Sequence, residues 1–513
     1  MSTERAKQKV EFGDFQTPLG LAHEACRLLA RLDLSPSSIL EPTCGRGAFL
    51  GAALRAFPGV AAVRGFDCNP DHVQVSLVAV SDHPDARVEC GDFFKVNWDG
   101  VLSELPDPIL VVGNPPWVTN AAVGSLAGAN LPPKANIDGL RGIDALTGRS
   151  NFDISEWMLR ETMRWLQGRV GAMAVLCKTA VARKLLHSSW SNGAQIESAA
   201  VYRINAIQEF GASVDACFLV VRLKPGSRST ECEVYETLRS TTPSSRFGLR
   251  EHRLVANLEA YRRLSFLYCD GLIGWRSGIK HDCSRVFELS RQQGALINGL
   301  GEHVSIETDV VFPLLKSSDI VHGREPRRFL LIPQRSMEES PLDLERRAPL
   351  ARRYLVSHSD ILNKRGSSIY TKRPPFSIFG IGPYSLTAWK VAISGLYKEL
   401  RFSKVGPYDG RPIVFDDTCY LFPCDSEEEC DVLYKLVTSS LATEFWCSLV
   451  FWDSKRPITA TLLNVLDLAA LARKLDRWTP IARRLAERQF IRYSKQGHQT
   501  MLFPAPSVGY HGT

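Results

Sequence analysis

Asn114-Pro115-Pro116-Trp117 closes the apolar run Val111-Val112-Gly113 with an amide, two prolines and an aromatic ring. An amine attached to a heteroaromatic ring is a poor nucleophile, because its lone pair is delocalised into the ring. Two fixed acceptors, the Asn114 side-chain oxygen and the Pro115 carbonyl, can accept hydrogen bonds from both amine N–H groups and leave the lone pair localised for attack on an electrophilic methyl group. Prolines carry no N–H and stiffen the backbone, so the acceptors need little reorganisation during a reaction. Trp117 offers a face on which a base turned out of its stack can lie. Asn-Pro also opens ordinary turns after buried strands, so the weight of this reading depends on what lies upstream.

Groups at a strand tip act only if a sheet presents them. The carboxyl edge of an open α/β sheet is where such folds build their crevices. Ser38-Ile39-Leu40-Glu41 reads as a strand, Pro42 to Gly47 as a tight turn, and Phe49 to Phe57 as a helix. Gly45 and Gly47 let the backbone approach a ligand closely. The third glycine of a dinucleotide fingerprint is absent, and the acid Glu41 ends the strand. That acid would repel a pyrophosphate and attract a cationic sulfonium amino acid. Asp67, twenty residues beyond Gly47, ends the run Val60 to Phe66, where an acid can bind both ribose hydroxyls. Val88 to Asp92 reads as a third strand, with Asp92-Phe93 placed to accept from an adenine amine and cover its ring. Ahead of all these, Thr17-Pro18 precedes the helical stripe Leu21, Ala25, Leu28, Leu29, Leu32, a helix start suited to a carboxylate. A lone G-x-G is weak evidence; the ordered set Glu41/Gly45/Gly47, Asp67, Asp92, Asn114 over successive strands is specific.

The composition sets bounds on the rest. The 513 residues are enough for two or three domains, and 44% hydrophobic with 23% charged residues is ordinary for a globular protein. A formal charge of +7 permits an acidic partner such as nucleic acid without demonstrating one. The 13 cysteines include no C-x-x-C pair. Cys419, Cys424 and Cys430 are too irregularly spaced for zinc, and no metal is expected. Scattered, odd-numbered thiols fit a reducing cytoplasm. Met1 to Lys9 is charged, and no long apolar run follows, so neither export nor membrane insertion is expected. With few residues ahead of Thr17, no cleavage domain is expected before it.

These motifs resemble the gamma class of S-adenosylmethionine-dependent DNA adenine-N6 methyltransferases, the modification enzymes of Type II restriction systems. In that class a Thr-Pro element, an E/D-P-x-C-G-x-G-x-F loop, strand-end acids and N-P-P-Y/F/W follow in this order, with a target-recognition domain C-terminal. The likeness covers roughly residues 12 to 225. It implies a doubly wound, Rossmann-like α/β sheet with a C-terminal mixed α+β domain. It also implies S-adenosylmethionine bound by Thr17, Pro18, Glu41, Cys44, Gly45, Gly47, Asp67, Asp92 and Phe93. Asn114, Pro115, Pro116 and Trp117 would hold the flipped base. Phe210 sits where the class places a second stacking aromatic, with Phe218 as a rival.

Residues 118 to 150 read as a loop over the site, and from Phe152 to Leu223 helices and strands alternate as a doubly wound sheet closed by a final hairpin. The expected domains are 1–225 catalytic, 226–270 connector and 271–513 target recognition with a helical tail. Beyond the connector, basic and aromatic residues interleave: Trp275 to His281, then Arg346, Arg347, Arg352, Arg353, Lys364, Arg365, Lys372 and Arg373. Any one of these is as readily a solvated surface charge, though together they suit phosphate contacts. Trp275 to Phe287 and Phe376 to Tyr384 resemble stretches of Type II modification enzymes, and Arg473 to Arg492 reads as a basic amphipathic helix. Phe422-Pro423-Cys424 imitates the nucleophile of cytosine-C5 methyltransferases, but its position outside the cofactor fold makes Cys424 an ordinary thiol. The expected enzyme is a monomer acting on double-stranded DNA, with a separate cognate restriction endonuclease as a conceivable partner. Competing readings are methylation of RNA or protein glutamine, cytosine-N4 methylation, and a non-catalytic specificity subunit.

Overall fold

The computed structural model describes residues 16–117, 154–371 and 373–489, with the short strands Arg492–Tyr493 and Gln499–Thr500. The loop expected at 118–150, the helix start at Phe152, Lys372 and the charged segment Met1 to Lys9 lie outside the described residues. The chain divides into two compact units, Met1–Leu258 and Glu259–Thr513.

The first unit is built on one sheet. Its strands are β1 (Ser38–Glu41), β2 (Ala62–Asp67), β3 (Ala86–Cys90), β4 (Ile109–Gly113), β5 (Gly171–Lys178), β6 (Ile196–Ile204), β7 (Ala216–Leu223), β8 (Glu231–Tyr235), β9 (Ser245–Arg250) and β10 (Arg253–Val255). They lie in the order β10-β9-β8-β6-β7-β5-β4-β1-β2-β3. β3, β2, β1, β4 and β5 run parallel, and β7 is inserted antiparallel between β5 and β6. The central strands β1 and β4 are buried along their whole length, which is why they read as unbroken apolar runs rather than alternating ones.

Helices cover both faces for the same reason. In Leu19–Arg31 the buried side chains Leu21, Ala22, Ala25, Cys26, Leu28 and Leu29 recur at three- and four-residue spacing. Phe49 of the helix Ala48–Ala56 stacks on Phe218 of β7, ring centroids 6.2 Å apart, both rings fully buried. Each such side chain contributes about 1.5–3 kcal/mol by leaving water. Two further helices, Pro70–Ala79 and Trp98–Ser103, start at asparagine caps. Asn69 accepts from Asp71 N at 2.9 Å and Asn97 from Gly100 N at 3.2 Å.

The stretch expected as a connector, 226–270, is corrected by the sheet: β8, β9 and β10 lie within it and extend the first unit to Leu258. Its Ser, Thr and Arg content concealed a strand alternation, as in Glu231–Tyr235, where Cys232 and Val234 are buried.

The second unit holds a four-stranded and a six-stranded sheet with helices packed against them, a mixed α+β arrangement. The stretches Trp275 to Phe287 and Phe376 to Tyr384 meet: Lys280 N donates to Phe379 O, and Phe379 N to Lys280 O, both at 2.9 Å. Four of the arginines in these basic stretches lie over aromatic rings, Arg276 on Tyr384, Arg352 on Phe376, Arg365 on Tyr370 and Arg373 on Phe379. Arg346, Arg353, Lys364 and Arg373 are exposed. The basic helix expected from Arg473 to Arg492 is two helices, Leu468–Lys474 and Pro480–Gln489, broken where Asp476 turns to φ +55° and Pro480 restarts the chain. Cys424 is buried in the strand Cys419–Cys424, and its thiol is pushed well above its ordinary range by a hydrogen bond to Cys430 and by burial. Among the described residues no helix is long and apolar enough to cross a membrane.

Candidate active site

The carboxyl ends of β1, β2 and β4 lie side by side, and every one ends in a group singled out above. The turn after β1 is held by backbone geometry. Cys44 N donates to Phe66 O at 2.7 Å and Gly47 N to Cys44 O at 2.8 Å. Gly45 and Gly47 take φ of +51° and +77°, a region that side-chain-bearing residues enter only with strain. A Cβ on Gly47 would come within 2.5 Å of Ser76 Oγ, and one on Gly45 within 2.7 Å of Gln16 Oε1. The turn is therefore pressed between the helix Pro70–Ala79 on one side and the chain ahead of Leu19 on the other.

Asp67 fastens this turn to the next strand. Its Oδ2 accepts from Gly45 N at 2.8 Å, and its Oδ1 accepts from Asn69 N at 2.9 Å and lies 3.4 Å from His72 Nδ1. Glu41, only 2% exposed, accepts from Leu50 N at 3.1 Å. Burial holds its carboxyl well above the usual carboxylate range; the Leu50 N–H opposes this and the charge of Asp67 adds to it. The Glu41 side chain also lies against Gly113, its Cγ 3.2 Å from where a Cβ would stand. The buried acid and the N-P-P-W segment thus adjoin.

Beyond Gly113, Asn114 and Pro116 are half-buried, while Pro115 and Trp117 are buried. Trp117 meets Phe210 edge to face, centroids 5.1 Å apart at 66°. Phe210 ends the short helix Ala206–Phe210 and is partly exposed, whereas Phe218 is fully buried in the core. Of the two aromatics considered, Phe210 is the one at the edge. A base sandwiched between parallel rings needs about 7 Å, two van der Waals contacts, so Trp117 and Phe210 must separate to admit one.

Thr17 precedes Pro18, which occupies the cap position of the first helix, and no side chain closes that position. The contact from this segment to the glycine turn is made by Gln16, whose Oε1 accepts from Arg46 N at 3.1 Å. Gln16 stood beside Thr-Pro in the sequence, but no pattern distinguishes a glutamine that will reach thirty residues away. Phe93 does not lie open to cover a ring. It is buried among Phe94, Trp98, Trp157 and Trp165, with its carbonyl accepting from Trp98 Nε1 at 2.8 Å. Trp98, Trp157 and Trp165 supply an apolar wall that outcompetes a solvent-facing position. Asp92 stays at the edge, half-buried, accepting from Phe94 N at 3.0 Å and paired with Lys95 at 2.9 Å. His72 and Ser76 escaped sequence reasoning because a helix face is invisible until its packing is known.

The donor set fits an S-adenosylmethionine molecule. A buried carboxylate that burial keeps from ionising is stabilised by a cationic amino group. Adjacent strand-end acids suit hydroxyl and amine donors, and the turn has no side chains where a Cβ would collide. A doubly wound sheet with β7 reversed, this glycine turn and these strand ends define a class I methyltransferase that takes its methyl group from S-adenosylmethionine. The sequence relationship is specific. The chain is 41% identical over 473 residues to the Type II methyltransferase M.NspV of Nostoc sp., a match covering 91% of this chain and 98% of that protein. The chain belongs to the Type II methyltransferase family. Among solved structures it is similar to the Type IIL restriction-modification enzyme MmeI in complex with DNA, with TM-score 0.49, 12% identity, and coverage of 95% of this chain and 74% of that one. It is also similar to the M protein of the Type I restriction enzyme EcoKI, with TM-score 0.32, 18% identity, and coverage of 49% and 53%. No protein-family model matches the chain.

Proposed function

We propose that the protein methylates the N6 amino group of a flipped adenine at a specific sequence in double-stranded DNA, as the modification component of a restriction-modification or related defence system. The observation that carries this reading is the placement of Asn114 and Pro115 directly after Gly113, against which the buried Glu41 packs. S-adenosylmethionine supplies an electrophilic methyl group on a cationic sulfonium. Glu41 would hold its amino end, Thr17 and Pro18 its carboxylate end, Cys44, Gly45 and Gly47 its backbone-facing side, Asp67 the ribose, and Asp92 the adenine. The Asn114 oxygen and the Pro115 carbonyl would accept hydrogen bonds from the two N–H groups of the target amine and so turn its lone pair toward the methyl group. Pro116 stiffens that turn, and Trp117 and Phe210 part to stack on the base. No enzyme nucleophile takes part: as the N–CH3 bond formed the S–CH3 bond would break, S-adenosylhomocysteine would leave as a neutral thioether, and the methylated amine would then lose a proton.

In this reading, residues 259–513 recognise the target. Arg346, Arg353 and Lys364, exposed and basic, suit phosphates. The protein works as a monomer in the cytoplasm, and a separate endonuclease would share its site. Sequencing plasmid DNA after expression tests base and site together: modified adenines at one recurring motif support the proposal. Incubating the purified chain with labelled S-adenosylmethionine and DNA, RNA or ribosomal protein separates the substrate classes. Label in RNA or protein alone would overturn it.

A further inference from the structure

Lys178 breaks a local rule. It ends β5 and stands at the N-cap of the thirteen-residue helix Thr179–Ser191 with no side-chain cap hydrogen bond. Serine, threonine, asparagine or aspartate stabilises that position, because each accepts from an unpaired N–H of the first turn. Lysine has no acceptor, and its charge opposes the positive end of the helix. Helix stability therefore does not account for a lysine here, and departures of this kind concentrate at functional sites.

The structure shows where the ammonium goes. Lys178 Nζ donates to the backbone carbonyl of Trp117 at 3.2 Å. The strand places it there: β5 pairs parallel with β4, Gly113 opposite Val175, so the last residues of β5 run beside Asn114 to Trp117. The near end of N-P-P-W is fixed by the β4 pairings and the far end by this bond. The bond thus restrains the backbone of the residue whose indole meets Phe210 edge to face.

We infer that Lys178 is a positioning residue for methyl transfer: its ammonium locks the Trp117 end of N-P-P-W, so the base-holding acceptors and the indole keep one geometry when Trp117 and Phe210 part. This rests on the proposed holding of the target base by N-P-P-W. It leaves cofactor binding at the β1 and β2 ends independent of Lys178.

Lys178→Ser, Lys178→Met and Lys178→Arg of the full chain give the test. Lys178→Ser installs a good N-cap, so its Tm equals or exceeds that of the parent. Its affinity for S-adenosylmethionine, by calorimetry, stays within about twofold, while kcat on target DNA falls about tenfold or more. Lys178→Met shows the same split. Lys178→Arg, which keeps a cationic donor, restores most of kcat. Fluorescence of 2-aminopurine at the target position reports altered stacking in the serine and methionine variants. Unchanged kcat in Lys178→Ser, or parallel loss of cofactor affinity, overturns the inference. If the parent methylates a substrate other than adenine, the proposed function fails, and the same split is read on that substrate.

Discussion

Gly45 N donates to Asp67 Oδ2 at 2.8 Å, so the glycine turn after the first strand is tied to the acid that ends the second. One carboxylate thereby shapes the backbone cradle while standing at the crevice it lines. The same edge carries Glu41 against Gly113, so the groups proposed to bind the methyl donor and the target amine extend from the ends of adjoining strands. Positions held this way can be tested one at a time.

Asn114→Ala removes one of two acceptors and leaves the β1 and β2 ends intact. S-adenosylmethionine binding should be preserved, and methyl incorporation into target DNA should fall by about 10²–10³-fold, as for loss of one preorganised polar group elsewhere. Calorimetry and label incorporation on the same preparation check it; near-normal turnover would refute the role.

Gly47→Ala combines strain at φ +77° with a Cβ 2.5 Å from Ser76 Oγ and 3.0 Å from the Ser76 Cα. The expected destabilisation is about 1–3 kcal/mol, together with weakened cofactor binding. Gly168→Ala, at φ +78° with open space around it, is the control. It should lose about 1–2 kcal/mol from backbone strain and keep its cofactor affinity.

Glu41 predicts a pH dependence with a definite sign. Its carboxyl is raised by burial in the folded, cofactor-free chain, so the unfolded chain ionises first as pH rises. Its contribution to stability is fully present below the ordinary glutamate range and is lost as pH rises through the folded-state value. Cofactor binding, which supplies a cation to the ionised form, should strengthen over the same interval. Glu41→Gln should flatten both dependences, raise the Tm of the cofactor-free protein at neutral pH and weaken cofactor binding. A sloped affinity profile persisting in that variant would show that another group is responsible.

Lys390 in the second unit is fully buried, donates to Ile413 O at 2.9 Å and to Thr387 O, and is drawn down to about 7 by burial. Here the folded value lies below the unfolded one, so the cost of burying the ammonium is full below about pH 7 and vanishes above the ordinary lysine range. Lys390→Met should stabilise the protein by about 1–4 kcal/mol at pH 6 and by little at pH 10. Urea unfolding at the two pH values measures the difference, and equal effects would contradict it.

The order of Glu41, the glycine turn, Asp67, Asp92 and Asn114 was readable because strand ends and glycine turns are local features, and a parallel sheet aligns their carboxyl ends automatically. The central strands were readable for a related reason, since burial on both faces leaves a continuous apolar run. Long-range placement was not. Which aromatics face the edge depends on packing partners distant in the chain: Phe93 joined the tryptophans, Phe218 stacked on Phe49, and Phe210 remained beside Trp117. The strands between Glu231 and Val255 were missed because they are short and lie in a polar stretch, so their pairing with β6 could not be seen from their own residues. The reach of Gln16 to Arg46, and of Lys178 to the Trp117 carbonyl, likewise exists only once β1, β4 and β5 are side by side. The sequence alone therefore determined which chemical groups are present and at which strand ends. The tertiary structure alone decided which of them touch, because a side chain's neighbours are set by sheet order and helix packing, not by distance along the chain.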